Sequence, residues 1–165
     1  MEYLLYYCRM YVIEVSNGKI IPIEILAVES TDYVVIKKSR YFFDWKSEQH
    51  HENYKLVIPG QLDILGLISI ERIPAEWRIH IRLLTVSIEN KGNGKIYDRI
   101  IGNLLAFVAS LAIRLYGELA CISLRPKTAI AQHYINKYNM NSTGMTLSLE
   151  VPEIIHLINQ YNHEG

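Results

Sequence analysis

The chain has 165 residues, half of them apolar, and its seventeen basic and seventeen acidic side chains cancel. That is enough chain to bury a sizeable core, and the apolar content excludes a disordered polypeptide. Zero net charge disfavours a protein that lives by neutralising nucleic-acid phosphates, which normally carries a basic excess.

The opening MEYLLYYCRMYVIEV has no basic n-region and is interrupted by Arg9 and Glu14, so it does not read as a signal peptide. Tyr3 to Val15, rich in Tyr, Leu and Val, is expected as a strand. A turn at Ser16-Asn17-Gly18 leads to a second extended run, Ile20 to Val28, and Tyr33 to Lys37 is expected as a short third strand. Lys38 to Lys55 is polar and mixed, and reads as loop with one helical turn at most. His50-His51-Glu52 within it has no companion cluster at ligand spacing, so a solvated loop is favoured over a metal site.

Leu62 to Glu71 and Trp77 to Ile88 read as a hairpin around Pro74. In the second strand Arg78, His80 and Arg82 alternate with Ile79, Ile81 and Leu83, the period of a strand with one buried face. A helix is expected from about Arg99 to Tyr116, apolar on nearly every side and therefore covered by protein all round, with Gly117 as its cap. Leu119 to Leu124 is a short buried strand, so strand–helix–strand makes one parallel crossover. A helix from Pro126 to Tyr138, a strand from Met145 to Val151 and a helix from Pro152 to Tyr161 complete the pattern. The expected class is α+β, a single domain over 1–165. The longest apolar stretch, Ile100 to Ile113, is too short to span a bilayer, which implies a cytoplasmic protein that uses no membrane. Cys8 and Cys121 match no metal spacing and are expected as inert buried thiols.

The segment NKGNGKIYDRIIGNLLAF, from Asn90, raises the question of a phosphate cradle. A Walker A loop is ruled out because Ile96 follows Gly94-Lys95 and Glu89 stands where the first glycine belongs. A Rossmann turn is ruled out because Tyr97 occupies the third glycine position. A helix N-terminus near residue 99 still offers unpaired N–H groups and partial positive charge to an anion. The alternative, an ordinary capped core helix with Asp98 as its N-cap, stays open.

From about Leu65 to Tyr161 the order of elements resembles the GNAT superfamily, the acetyl-CoA-dependent N-acetyltransferases: a hairpin, a long strand, a phosphate loop, a helix, a parallel strand, a second helix and a last hairpin. YDRIIGNLLAF and the later PKT, HY and KY are similar to a bacterial subgroup of small acetyltransferases. The resemblance divides the domain into an acceptor-side region, 1–61, and a cofactor-binding core, 62–165. The family's Gln/Arg-x-x-Gly-x-Gly/Ala loop, laid on the helix start, matches Gly102 at its last glycine, with Ile100 at the first and Tyr97 at the Gln/Arg; here the strand-to-helix connection is longer than usual.

The resemblance implies acetyl-CoA as cosubstrate, an amine acceptor and no metal. Backbone groups of Leu84, Thr85 and Val86 would hold the pantetheine arm. Lys95, Tyr97, Asp98, Arg99, Ile100, Ile101, Gly102 and Asn103 would surround the diphosphate, with Lys91 adding charge. Tyr134 matches the family's tyrosine that protonates the leaving thiolate, although Ile130, Tyr134 and Tyr138 also form a core-facing stripe. No carboxylate lies on the long strand before Glu89, which leaves Glu71, His80 and Glu89 as general-base candidates, with Glu89 taken beside Tyr134 as the catalytic pair. The same gap keeps a second reading open, a non-catalytic relative that binds CoA or a protein partner. Dimers are common in such families, so a homodimer is among the states implied.

Overall fold

The computed structural model describes residues 10–126, 128–143 and 145–161, with backbone alone for 128–130. Tyr3 to Arg9 of the expected first strand, and Cys8 with them, lie outside the described residues. The rest of that strand is β1 (Tyr11–Glu14), which turns at Gly18, φ 70°, and pairs antiparallel with β2 (Lys19–Pro22). The run expected as one strand then divides. Pro22 cannot donate to a further ladder, Ile23 is buried at the junction, and β3 (Glu24–Ala27) joins a different sheet.

The expected third strand is a 3-10 turn, Ser30–Val34. The Asp32 carboxylate accepts the Glu29 N–H at 2.8 Å and pairs with Lys55 at 2.8 Å, and this local bonding overrides the extended preference of Tyr33, Val34 and Val35. Helix α1 (Lys38–Tyr41) and a 3-10 turn, Trp45–Glu48, come next. They lead into a strand where loop was expected, β4 (Glu52–Val57). Glu52, Asn53 and Lys55 gave that segment its polar look, while Tyr54 and Leu56 go into the core.

The hairpin holds: β5 (Ile64–Ile73) and β6 (Arg78–Val86) pair antiparallel around a 3-10 turn at Pro74–Glu76. The short β7 (Tyr97–Asp98) pairs with β1, giving, among the described residues, a three-stranded sheet of order β2-β1-β7. After α2 (Ile100–Tyr116), β8 (Cys121–Leu124) runs parallel to β6. Then come α3 (Thr128–Tyr138), β9 (Asn141–Thr143), β10 (Thr146–Glu150) and α4 (Val151–Tyr161). Among the described residues the main sheet has seven strands in the order β3-β4-β5-β6-β8-β10-β9, antiparallel except for the β6–β8 pair.

Successive strand residues point to opposite faces, so neighbours such as Leu67 and Ile68 enter different cores. Ile68, Ile79, Ile81, Ile122 and Leu149 pack with Leu104, Leu105 and Val108 of α2 and with Ile154 and Leu157 of α4. On the other face Leu67, Val57 and Ile64 pack under Ile36, Tyr41 and Trp45. The 20 residues Ile100–Leu119 have a mean hydropathy of 1.7, long and apolar enough for a membrane span by composition, yet half of that window is buried within the protein. Coverage of α2 is not complete on every side as expected, since Leu115 is exposed, and Leu119, expected in the buried strand, is exposed in a 3-10 turn ahead of β8. Cys121 is a half-buried free thiol, and burial pushes its pKa up, which keeps it unreactive.

Candidate functional site

β6 is held along its whole length by β5 but by β8 for only four residues. The parallel register ends at Ile81↔Leu124, whereas pairing with β5 continues to Val86↔Gly66. The departure coincides with a β-bulge: Ser69 faces Leu83 and Ile70 faces Ile81, leaving Arg82 as the extra residue that bends β6 away. Among the described residues, Leu84, Thr85 and Val86 therefore have no strand on their β8 side. Thr85 is buried and turns its hydroxyl to the Val86 carbonyl at 3.0 Å.

The start of α2 is laid across the sheet at Gly66. A Cβ there would meet Ile100 Cγ2 at 2.6 Å and Leu104 Cδ1 at 3.1 Å, so only glycine admits the helix this close. The long connection from Val86 to Ile100 is ordered by Asn90, which sequence reasoning passed over. Its buried side chain donates to Ser87 Oγ at 2.8 Å and accepts the Tyr97 N–H at 2.8 Å.

The N-cap of α2 is Arg99, not Asp98. Arg99 sits at φ 81°, a left-handed conformation costly for a residue with a side chain, and its N–H is taken by the Asp98 carboxylate at 2.8 Å. The Asn103 N–H is the first to reach a carbonyl, that of Arg99 at 3.1 Å, which leaves the N–H groups of Ile100, Ile101 and Gly102 without helical partners. Those three residues line a cavity of about 340 Å³ between the loop and α3. Val86, Lys91, Lys95, Tyr97, Asp98, Arg99, Ile100, Ile101, Gly102 and Tyr134 of the expected residues line it, joined by Asn90, Gly92, Asn93, His133, Lys137 and Tyr138, whereas Leu84 and Thr85 are not in its lining.

The charges are arranged differently from expectation. The Arg99 guanidinium is clamped between the rings of Tyr11 and Tyr161, 4.1 and 4.6 Å from their centroids, and donates to the Gln160 carbonyl at 3.1 Å. Lys95 is bonded to Asp98 at 2.8 Å and holds that carboxyl below its usual range. Lys91 lies over the Phe42 ring. Lys137 on α3 brings further positive charge to the cavity and also depresses Asp98. Its position one turn beyond His133 and Tyr134 was the signal for it.

Gly102 packs rather than yields room. A Cβ would fall 1.8 Å from Tyr161 Cζ, so this glycine lets α4 close on α2. Asn103 is fully buried outside the cavity lining and donates to the Tyr11 and Arg99 carbonyls at 2.8 and 2.7 Å. Tyr134 is half-buried, and burial raises its phenol pKa. Its ring lies against Tyr138, centroids 5.8 Å apart, so the core stripe and the cavity wall are one surface.

Glu89 is not part of the cavity lining. Arg40 grips its carboxylate through Nη2 at 2.9 Å and holds it below the usual range. Glu71 faces Arg82 at 3.4 Å. His80, like Glu89, is outside the cavity lining; it stands one residue before the fork, on the sheet face away from α2, with Nδ1 2.9 Å from Ser123 Oγ, to which Arg78 Nη1 donates at 2.7 Å. Burial, with Arg78 nearby, lowers the His80 pKa, so the ring is neutral at pH 7.

No family model matches the sequence, and no curated protein sequence matches it. Solved structures do. The Escherichia coli ribosomal-protein-S18-alanine N-acetyltransferase superposes with a TM-score of 0.57 at 13% identity, covering 78% of this chain and 94% of its own. A GNAT-family acetyltransferase from Listeria monocytogenes gives 0.58 at 12% identity, covering 79% and 96%. The fold is that of the GNAT acetyltransferases. A mutant spermidine N-acetyltransferase from Vibrio cholerae, at 0.59 and 10% identity, covers 81% of this chain and 96% of its own. Identities this low carry the GNAT architecture alone, so chemistry has to be argued from the fork, the helix start and the cavity.

Proposed function

We propose that the protein is an N-acetyltransferase that moves an acetyl group from acetyl-CoA directly to a primary amine. The observation that carries this reading is an edge of β6 at Leu84–Val86 with no strand on its β8 side among the described residues, whose end at Val86 lines the same cavity as a helix start with three N–H groups lacking helical partners. Acetyl-CoA supplies an acetyl thioester, and transfer to an amine leaves a thiolate and frees a proton. The amides of Ile100, Ile101 and Gly102, with the Lys137 ammonium, suit the diphosphate. The open edge of β6 offers backbone donors and acceptors to an amide-bearing arm, in the manner of an added strand.

Tyr134, kept in its acid form by burial, donates its phenolic proton towards the leaving sulfur. His80 takes the base role over Glu89 and Glu71, because those carboxylates are bound to Arg40 and Arg82. In the tautomer that donates Nδ1–H to Ser123 Oγ, Nε2 is the acceptor for the proton that the amine gives up as its nitrogen bonds to carbon.

Thermal-shift measurement with CoA, acetyl-CoA and ATP tests the cofactor. Stabilisation by both CoA forms and not by ATP is expected; no response to either CoA form overturns the reading. Thiol release across a panel of amines then tests turnover, with Tyr134→Phe expected to lower kcat by about 10²-fold or more while still binding CoA. CoA binding with no thiol release from any amine would leave the non-catalytic reading in its place.

A further inference from the structure

The sheet face that carries His80 sets what an acceptor must bring. Leu124 joins the core with α2, so by strand alternation Ser123 and Arg125 point to the opposite face, as His80 does. Ser123 pairs with His80, and Arg125 follows two residues later, where β8 has parted from β6. One strand spacing across and two residues along put the Arg125 Cα about 8 Å from that of His80. The two side chains can therefore meet groups only a few bonds apart.

Arg78, Arg82 and Arg125 flank the ring, and the first two are already paired. Arg78 holds Glu76 and donates to Ser123 Oγ, while Arg82 holds Glu48 at 2.8 Å and Glu71 at 3.4 Å. Arg125 is exposed, and its polar contact among the described residues is the Met145 sulfur at 3.5 Å, a weak acceptor. Its guanidinium is a permanent charge with donors to give. Burial is the main cause of the lowered His80 pKa, and Arg78, Arg82 and Arg125 each add to it, with Glu71 opposing, so all three charges are felt at the ring.

The nearby carboxylates are spent. Glu48, Glu71 and Glu76 are each taken by an arginine. Glu150, paired with Cys121, is level with a residue four places and about 13 Å back along β8 from Arg125. None of these four acids is left beside His80 to receive a second ammonium group, whereas Arg125 is left to receive a carboxylate.

We infer, on the reading that the protein transfers acetyl groups, that its acceptor is a free amino acid, with the carboxylate bound by Arg125 and the amine facing His80 Nε2. The amine nitrogen bonds to the acetyl carbon as the carbon–sulfur bond breaks. His80 takes the amine's proton, Tyr134 gives one to the leaving sulfur, and the product is an N-acetylamino acid. Polyamines are excluded because they bring a second cation and no anion.

The test compares free amino acids with their carboxamides and with spermidine as acceptors in thiol release. Amidation removes the anion and lowers the amine's pKa, so intrinsic reactivity favours the amide, and preference for the acid reports a contact with its carboxylate. At least one amino acid is expected to exceed its amide about tenfold or more in kcat/KM, the worth of a charged hydrogen bond. Arg125→Gln is expected to bring that ratio to about one through KM. Amides or spermidine turned over as well as the free acids, or an unchanged ratio in Arg125→Gln, would overturn the acceptor class and leave acetyl transfer intact. Thiol release from no amine would end the transfer reading instead, and amide NMR of the isotope-labelled chain with CoA present then decides the binding site by itself. Amino acids are expected to shift the Ser123 and Arg125 amides, and Arg125→Gln to abolish the Ser123 shift with the rest of the spectrum unchanged. No shift with any amino acid overturns the inference.

Discussion

Gly102→Ala separates a packing glycine from a ligand-facing one. In an isolated helix the change is favourable, because alanine exceeds glycine in helix propensity by about 1 kcal/mol. Here the new methyl would overlap Tyr161, with Cζ, Oη and Cε1 at 1.8, 2.0 and 2.1 Å from the Cβ position. Tyr161 is 7% exposed and stacks on Arg99, so its ring cannot swing aside without breaking that contact. Overpacking of this kind costs typically 1–3 kcal/mol, and after the propensity gain the net loss is about 0–2 kcal/mol. For a chain of this size that lowers Tm by up to about 8 °C. The assay is urea unfolding followed by circular dichroism for the native protein, Gly102→Ala, Tyr161→Ala and the double variant. In the Tyr161→Ala background the glycine substitution should become neutral or stabilising by up to about 1 kcal/mol. A stabilising effect in the native background, or strict additivity of the two changes, would refute the reasoning.

The base assignment makes a pH prediction. Burial and Arg78 disfavour the charged ring, so kcat/KM should rise with pH through a midpoint below the ordinary histidine value of 6.5, and His80→Gln should remove that limb. The sign for stability comes from the same shift. Above 6.5 the group contributes no pH dependence, and below it the unfolded chain takes up the proton first, so unfolding free energy falls until the folded pKa is passed. Arg99→Lys keeps the charge but loses the planar stack between Tyr11 and Tyr161, and chemical denaturation should show a loss of about 1–2 kcal/mol. Glu89→Gln breaks an ion pair that is more than a third exposed; turnover should stay within about twofold and stability within about 1 kcal/mol, and a collapse of kcat would return the base role to Glu89.

The core half of this protein is written in its periodicity. The alternation from Arg78 to Leu83, the apolar run after residue 99 and the break at Gly117 determine a strand, a helix and a parallel return strand, because burial on one face or all round leaves a direct compositional trace. Segments whose pairing is long-range left none. Residues 52–57 look polar because one face of β4 meets the groups above the sheet, and 33–35 look extended although Asp32 turns them. The elements around the cavity were legible because they adjoin a helix start, but their roles were not. Whether Arg99 reaches a ligand or is clamped by Tyr11 and Tyr161, and whether Gly102 makes room for a ligand or for Tyr161, depends on partners up to 88 residues away in the chain. The bulge at Arg82 that opens the fork and the burial that makes His80 neutral also exist only once the strands have met. Local sequence fixes what each residue can do, and tertiary packing decides which partner reaches it first.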